Sequence, residues 1–129
     1  MSKPFVLGSR SRARLKGVHP DLVRVVELAL TYSPHDFTIT EGLRSVARQR
    51  ELKAAGASQT MNSRHITGHA IDFAVLVGGK VRWDWPLYGQ VAEAFLRAAK
   101  ELKVPIVWGG SWKTLRDGPH VELDRKRYP

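Results

Sequence analysis

The stretch "SRHITGHAIDF", Ser63–Phe73, sets two histidines, a glycine and an aspartate directly against an alternating apolar run. Beyond Gly68 the alternation has the period of an extended chain. Ile71, Phe73 and Val75 fall on one face, and Ala70, Asp72 and Ala74 on the other. Asp72 therefore turns away from the core-facing side, and its two alanine neighbours leave room around it. His65 lies seven residues earlier, in the approach to the strand. The continuation, "AIDFAVLVGGKVRW", reads as two strands joined at Gly78-Gly79, a hairpin signal.

Working outward, "HPDLVRVVELALTYS" has the helical stripe Leu22, Val25, Val26, Ala29 and Leu30, with Pro20 and Asp21 suited to its first turn. "DFTITEGLR" alternates, with Phe37 and Ile39 on one side and Thr38 and Thr40 on the other, and predicts a strand ending at Gly42. Ser45 can cap a more polar helix, "VARQRELKAAG", that stops at Gly56. "ASQTMNSRHITGH" has the composition of a loop. "PLYGQVAEAFLRAAKELK" is the strongest helical pattern, with Pro86 near its start. "PIVW" and "HVEL" are short strands, separated by Gly109-Gly110 and "DGP". The basic run "SRSRARLKG" reads as a lead-in segment that Leu15 pins to the body. The expected fold is α+β over a single domain, 1–129: a small, mainly antiparallel sheet packed with about three helices.

With 129 residues and a hydrophobic fraction of 43%, the chain can bury a core without staples. It has no cysteine, so disulfides are excluded and any metal must be held by His, Asp or Glu. The net charge of +9 favours polyanionic partners: nucleic acid, anionic lipid or an acidic cell wall. The apolar run Phe5-Val6-Leu7 is too short for a signal peptide, and no stretch reaches the length of a membrane-spanning helix. The expectation is a chain made in the cytosol that needs another agent to release it.

In "DGPHVEL", Val121 and Leu123 share the core face of a strand, and His120 and Glu122 the opposite one. His65, Asp72 and His120 then make a set that zinc accepts, two imidazoles and a carboxylate with a fourth position left for water, on the open face of the sheet. Asp117, three residues before His120, is placed to take a proton from that water. The alternatives are solvated or structural histidines and an aspartate that only starts an Asp-Gly-Pro turn. "HITGH" has the spacing of a zinc-binding helix but lacks its glutamate, and Gly68 with Ile66 and Thr67 opposes a helix. His69 is thus expected in a loop or supporting role, and His19 and His35 at the surface or as caps. Read by itself, Arg44 is a solvated arginine at a helix start.

"SRHITGHAID" fits Ser-x-His-x-x-Gly-x-Ala-x-Asp, and "DGPH" fits the Asp-x-x-His that follows it. The chain here resembles the D-alanyl-D-alanine carboxypeptidase family of zinc peptidases. It is most similar to its single-domain phage endolysins, the L-alanyl-D-glutamate peptidases. "GSRSRARLKGVHPDLV", "FTITEGLRSVARQ", "DWPLYGQVAEAFLRAAKELKVPI" and "WGGSWKTLRDGPHVEL" extend the likeness over nearly the whole chain. The resemblance implies one zinc ion on His65, Asp72 and His120, Asp117 as the catalytic carboxylate, and Arg44 and Ser63 as substrate-binding residues. Ser63 has a second reading, shaping its loop through a side-chain to backbone bond. The implied substrate is the stem peptide of peptidoglycan, cut at L-alanyl-D-glutamate. The implied setting is a monomer held in the host cytoplasm until a holin admits it to the wall, where the basic surface suits an anionic wall or membrane. A D-alanyl-D-alanine carboxypeptidase or dipeptidase is the alternative within the superfamily. A nucleic-acid-binding module is a distant one, without a recognisable motif. Ser111 stands where some such endolysins carry an acidic residue, and only seven residues separate Trp112 from His120, so calcium control is not expected.

Overall fold

The structure, a computed structural model, describes residues 5–56, 63–113 and 116–129. Residues 57–62 of the expected loop lie outside the described residues. Helix α1 spans Ser9–Arg14, α2 Pro20–Tyr32, α3 Val46–Ala54 and α4 Trp85–Leu102. Strands are β1 Asp36–Glu41, β2 Ala70–Val77, β3 Lys80–Arg82, β4 Ile106–Trp108 and β5 His120–Leu123. The five strands form one sheet in the order β1-β2-β5-β4, with β3 also paired to β2, and every pairing is antiparallel.

The expected α+β architecture is present, with four α-helices among the described residues where about three were expected. The basic lead-in segment forms α1, because its polar and apolar residues find partners on the body. Ser11 is buried, and its Oγ accepts the Ile39 N–H at 3.0 Å and bonds Thr38 Oγ1 at 3.0 Å. Leu7 and Leu15 join the core on either side of it.

One face of the sheet buries Phe37, Ile39, Ile71, Phe73, Val75, Val121 and Leu123 with the stripes of α2 and α4. Phe37, Phe73 and Phe95 form a triangle of rings with centroids 5.2–5.6 Å apart, and Tyr88 stacks on Phe73. Caps follow the residue types. Ser45 Oγ accepts the Arg48 N–H at 3.0 Å, and His19 Nδ1 accepts the Asp21 N–H at 3.1 Å. His19 is thus a capping histidine, and His35 bonds Gln90 on the exposed surface.

Between His65 and the strand, Gly68 has φ +76° and lies so close to the neighbouring turn that a Cβ there would sit 2.4 Å from the Gly17 carbonyl oxygen. Both the backbone conformation and the space require glycine. Gly68→Ala is expected to cost roughly 1–3 kcal/mol, measured as a lowered midpoint of denaturant unfolding. An unchanged midpoint would contradict this account of the turn.

Candidate active site

The opposite face of the sheet carries the polar set. In the β2–β5 ladder Asp72 stands directly across from His120, and in β1–β2 it stands across from Glu41. The second pairing depends on a bulge: the register shifts between Ile39 and Glu41, leaving Thr40 as the extra residue. His65 comes from the turn before β2. Its carbonyl accepts the Arg44 N–H at 2.9 Å, which ties that turn to the segment after β1.

His65, Asp72 and His120 converge, with one ligand atom from each lying within 4.8 Å of the others. His65 Nε2 is 3.3 Å from Asp72 Oδ2, and His120 Nδ1 is 3.3 Å from Asp72 Oδ1. The outer nitrogens are both engaged. His65 Nδ1 donates to the Gly42 carbonyl at 2.9 Å, and His120 Nε2 donates to Glu122 Oε1 at 2.8 Å. A carbonyl and a carboxylate can only accept, so the outer nitrogens carry the protons and Nε2 of His65 and Nδ1 of His120 are left to face the centre. This is the support that metal-ligating imidazoles require, and the donor set suits a divalent cation such as zinc.

The sequence by itself assigns no supporting role to Glu122, Arg64, Arg125, Glu41 or Gln49, and the structure gives each of them one. Glu122 is buried behind His120, and Arg125 and Arg64 flank its other oxygen at 3.4 and 3.9 Å. Arg64 also donates to the carbonyls of Leu123 and Tyr128. Glu41 receives Nε and Nη2 of Arg44 at 2.7 and 2.5 Å, and Gln49, fully buried on an otherwise polar α3, accepts from Nη1 at 2.6 Å. Arg44 is consequently only 9% exposed, where its solitary reading was a solvated side chain. Its Nη2 lies 3.8 Å from Asp72 Oδ2. Ser63 Oγ accepts the His65 N–H at 3.2 Å and lies 3.5 Å from Arg44 Nη1, the loop-shaping contact. His69 stands apart from the set, bonded to Thr67 and beside the His19 ring. Ser111 Oγ donates to the Trp108 carbonyl.

Asp117 sits in the turn entering β5. Its N–H bonds the Gly109 carbonyl at 3.1 Å, and its own carbonyl accepts the His120 N–H at 3.1 Å. Among the described residues no side chain hydrogen-bonds its carboxylate. Burial pushes its pKa up, and the negative charge of Asp72 adds to that. Burial also opposes the charge of Asp72, but the hydrogen bonds from His120 and His65 outweigh it and hold the carboxyl well below the usual range. For His120, burial disfavours the cation, yet the bonds to Asp72 and Glu122 prevail and push it up to about 9 in the metal-free protein.

A compact α+β domain with a two-histidine, one-carboxylate centre on its sheet defines a candidate metallohydrolase. The model of the phage L-alanyl-D-glutamate peptidase family matches residues 1–128, and the chain belongs to that family. It is 40% identical over 128 residues to the L-alanyl-D-glutamate peptidase of Escherichia phage T5, covering 96% of this chain and 93% of that one. The crystal structure of the Serratia marcescens L-Ala D-Glu endopeptidase ChiX superposes with a TM-score of 0.93 at 53% identity, covering 98% of this chain and 96% of that one. The vancomycin-resistance D,D-dipeptidase VanXYg shares the fold, with a TM-score of 0.54 at 18% identity over 82% of this chain and 50% of that one.

The shifts at His120 and Asp72 make the stability of the metal-free protein depend on pH. His120 binds its proton more tightly folded than unfolded, so its contribution is complete below 6.5 and is lost as pH rises through about 9. Asp72, whose pKa is depressed, contributes above its ordinary value of 3.8 and loses that contribution as acid protonates it. Thermal melts of chelator-treated protein are expected to show Tm falling on both sides of the neutral range. A Tm that stays flat through pH 9 would contradict the His120 linkage.

Proposed function

We propose that this chain is a zinc-dependent peptidoglycan endopeptidase, a phage endolysin hydrolysing the L-alanyl-D-glutamate bond of the stem peptide. The observation that carries the reading is the convergence of His65, Asp72 and His120, with both imidazoles oriented from behind, in a member of this peptidase family. Zinc suits two imidazoles and a carboxylate, and when bound it supplies Lewis acidity toward water and the scissile carbonyl.

The chain's own groups do the rest. Asp117 takes a proton from the attacking water as oxygen bonds to the carbonyl carbon, then delivers it to the departing amine nitrogen as the C–N bond breaks. A raised carboxyl pKa suits both halves of that transfer. Glu41 occupies the fork of Arg44, so the arginine works by charge, favouring the negative oxygen that develops beside it, rather than as a free bidentate clamp. Ser63 acts through the loop that holds His65, and Glu122 fixes the ring of His120.

One chain supplies every group, so a monomer suffices. The net charge of +9 suits an anionic wall or membrane surface. Among the described residues no helix is long and apolar enough to cross a membrane. The localisation that accompanies an endolysin is the host cytoplasm, with release to the wall through a holin.

Purified peptidoglycan digested with and without chelator tests the reading, with the released fragments weighed by mass spectrometry. New L-alanine C-termini and D-glutamate N-termini are expected, with activity lost on chelation and restored by zinc. Release of free D-alanine or the D-alanyl-D-alanine dipeptide instead would replace the reading with the carboxypeptidase or dipeptidase alternative. Asp117→Asn is expected to keep zinc while losing activity on the order of a hundredfold or more. A zinc-loaded variant at near wild-type rate would leave Asp117 only its turn. Glu122→Gln keeps the volume but removes the charge behind His120, and zinc affinity is expected to fall about 10- to 100-fold in a competition titration. Unchanged affinity would reduce Glu122 to a packing role.

A further inference from the structure

Exposed large apolar side chains gather where β3 runs into α4. Trp83 is 63% exposed and Trp85 46%, and Val81 of β3 is exposed as well. Residues of this size usually lose most of their surface to the fold, and a cluster left in water marks a contact surface. Neither indole hangs free. The Trp83 ring lies parallel to Tyr88, 5.8 Å between centroids and 6° between planes. Tyr88 is buried and anchored: its hydroxyl donates to the Arg82 carbonyl at 2.7 Å and accepts the Val75 N–H at 3.1 Å. The Trp85 ring is 5.9 Å from Trp108, whose Nε1 donates to the Gly118 carbonyl at 2.7 Å.

These contacts join the aromatic patch to the catalytic turn. Gly118 directly follows Asp117, and a Cβ on it would meet Trp85 Cζ3 at 3.2 Å. The edge of Trp85 therefore rests on the turn that carries the proposed base, while both tryptophans keep a large exposed surface. Arg82 and Asp84, paired with each other and half exposed, supply a polar rim.

The substrate chemistry says what belongs there. Resting on the L-alanyl-D-glutamate reading, the scissile bond follows the first residue of the stem, and that residue is joined by an amide to the lactyl group of the muramyl sugar. An extended residue spans about 3.3–3.6 Å, so the sugar lies on the order of 10 Å or less from the carbonyl being cut. An enzyme cutting this bond in intact wall must accommodate a pyranose next to its centre. The face of a pyranose is a set of C–H groups with hydroxyls around the rim. It matches the negative face of an indole bordered by polar side chains. We infer that Trp85, extended by Trp83, forms a glycan subsite that stacks the muramyl ring and selects stem peptides still attached to sugar.

Two soluble substrates test this: a muramyl stem peptide and the same peptide N-acetylated in place of the sugar. The wild type is expected to prefer the muramyl substrate in kcat/KM by about tenfold, carried by KM. In Trp85→Ala that ratio is expected to collapse toward one. Trp85→Leu, which keeps an apolar side chain on the turn but removes the ring face, serves if the alanine variant does not fold and is expected to behave alike. Zinc content and Tm are recorded on the same preparations. A ratio that survives in the folded variants overturns the subsite. So does a wild type that cuts both substrates equally well, which leaves the peptidase reading standing. A wild type that cuts neither substrate at L-alanyl-D-glutamate removes the peptidase reading and the subsite with it.

Discussion

A carboxylate in the middle strand of a small sheet must be compensated, because burial raises the cost of its charge. Asp72 occupies that position, and the polar half of the molecule is arranged to meet the requirement. The antiparallel register brings His120 opposite, the turn before β2 brings His65, and Arg44 approaches from the segment after β1. Each partner is compensated in turn: Arg44 by Glu41 and Gln49, His120 by Glu122, and Glu122 by Arg64 and Arg125. Charges alternate along this chain of contacts, so no member is buried against its own sign without relief. Among the described residues the one buried side-chain nitrogen or oxygen left without a hydrogen bond is Arg64 Nε, which still faces Glu122.

The same arrangement explains how precision is obtained from a modest fold. Asp72 and His120 belong to β2 and β5, whose other faces are locked by the Phe37, Phe73 and Phe95 cluster and by Val121 and Leu123. Their separation is set by ladder geometry and not by loop conformation. The remaining groups do sit on connections, but each connection is tied by its backbone. His65 is joined to Arg44, and Asp117 to both Gly109 and His120. The apolar face and the chemical face are thus two sides of one set of strands, and loosening the core would loosen the site.

Much of this was open to a reader of the sequence. Alternation in "AIDFAVLV" and "HVEL" is a local property, because successive side chains of a strand point to opposite faces whatever surrounds them. It separates Ile71 and Phe73 from Asp72, and Val121 from His120, without reference to any tertiary contact. Ser45 as a cap, Gly56 as a stop and the stripes of α2 and α4 were legible for the same reason. The motif spacing, with its family resemblance, then singled out His65, Asp72, His120 and Asp117.

Other features exist only through distant partners, and no local pattern announces them. Gln49 in a polar helix looks solvated, and is fully buried because Arg44 needs an acceptor. Glu122 looks like the outward residue of a strand, and is buried because an imidazole and two guanidiniums surround it. The bulge at Thr40, which brings Glu41 level with Asp72, and the helix formed by the basic lead-in both follow from packing against residues far along the chain. The sequence by itself determined which side chains face the core and which can do chemistry, since both depend on residue type and short-range period. Only the tertiary structure decided which charges neutralise one another, because that depends on distances between segments that the chain order does not contain.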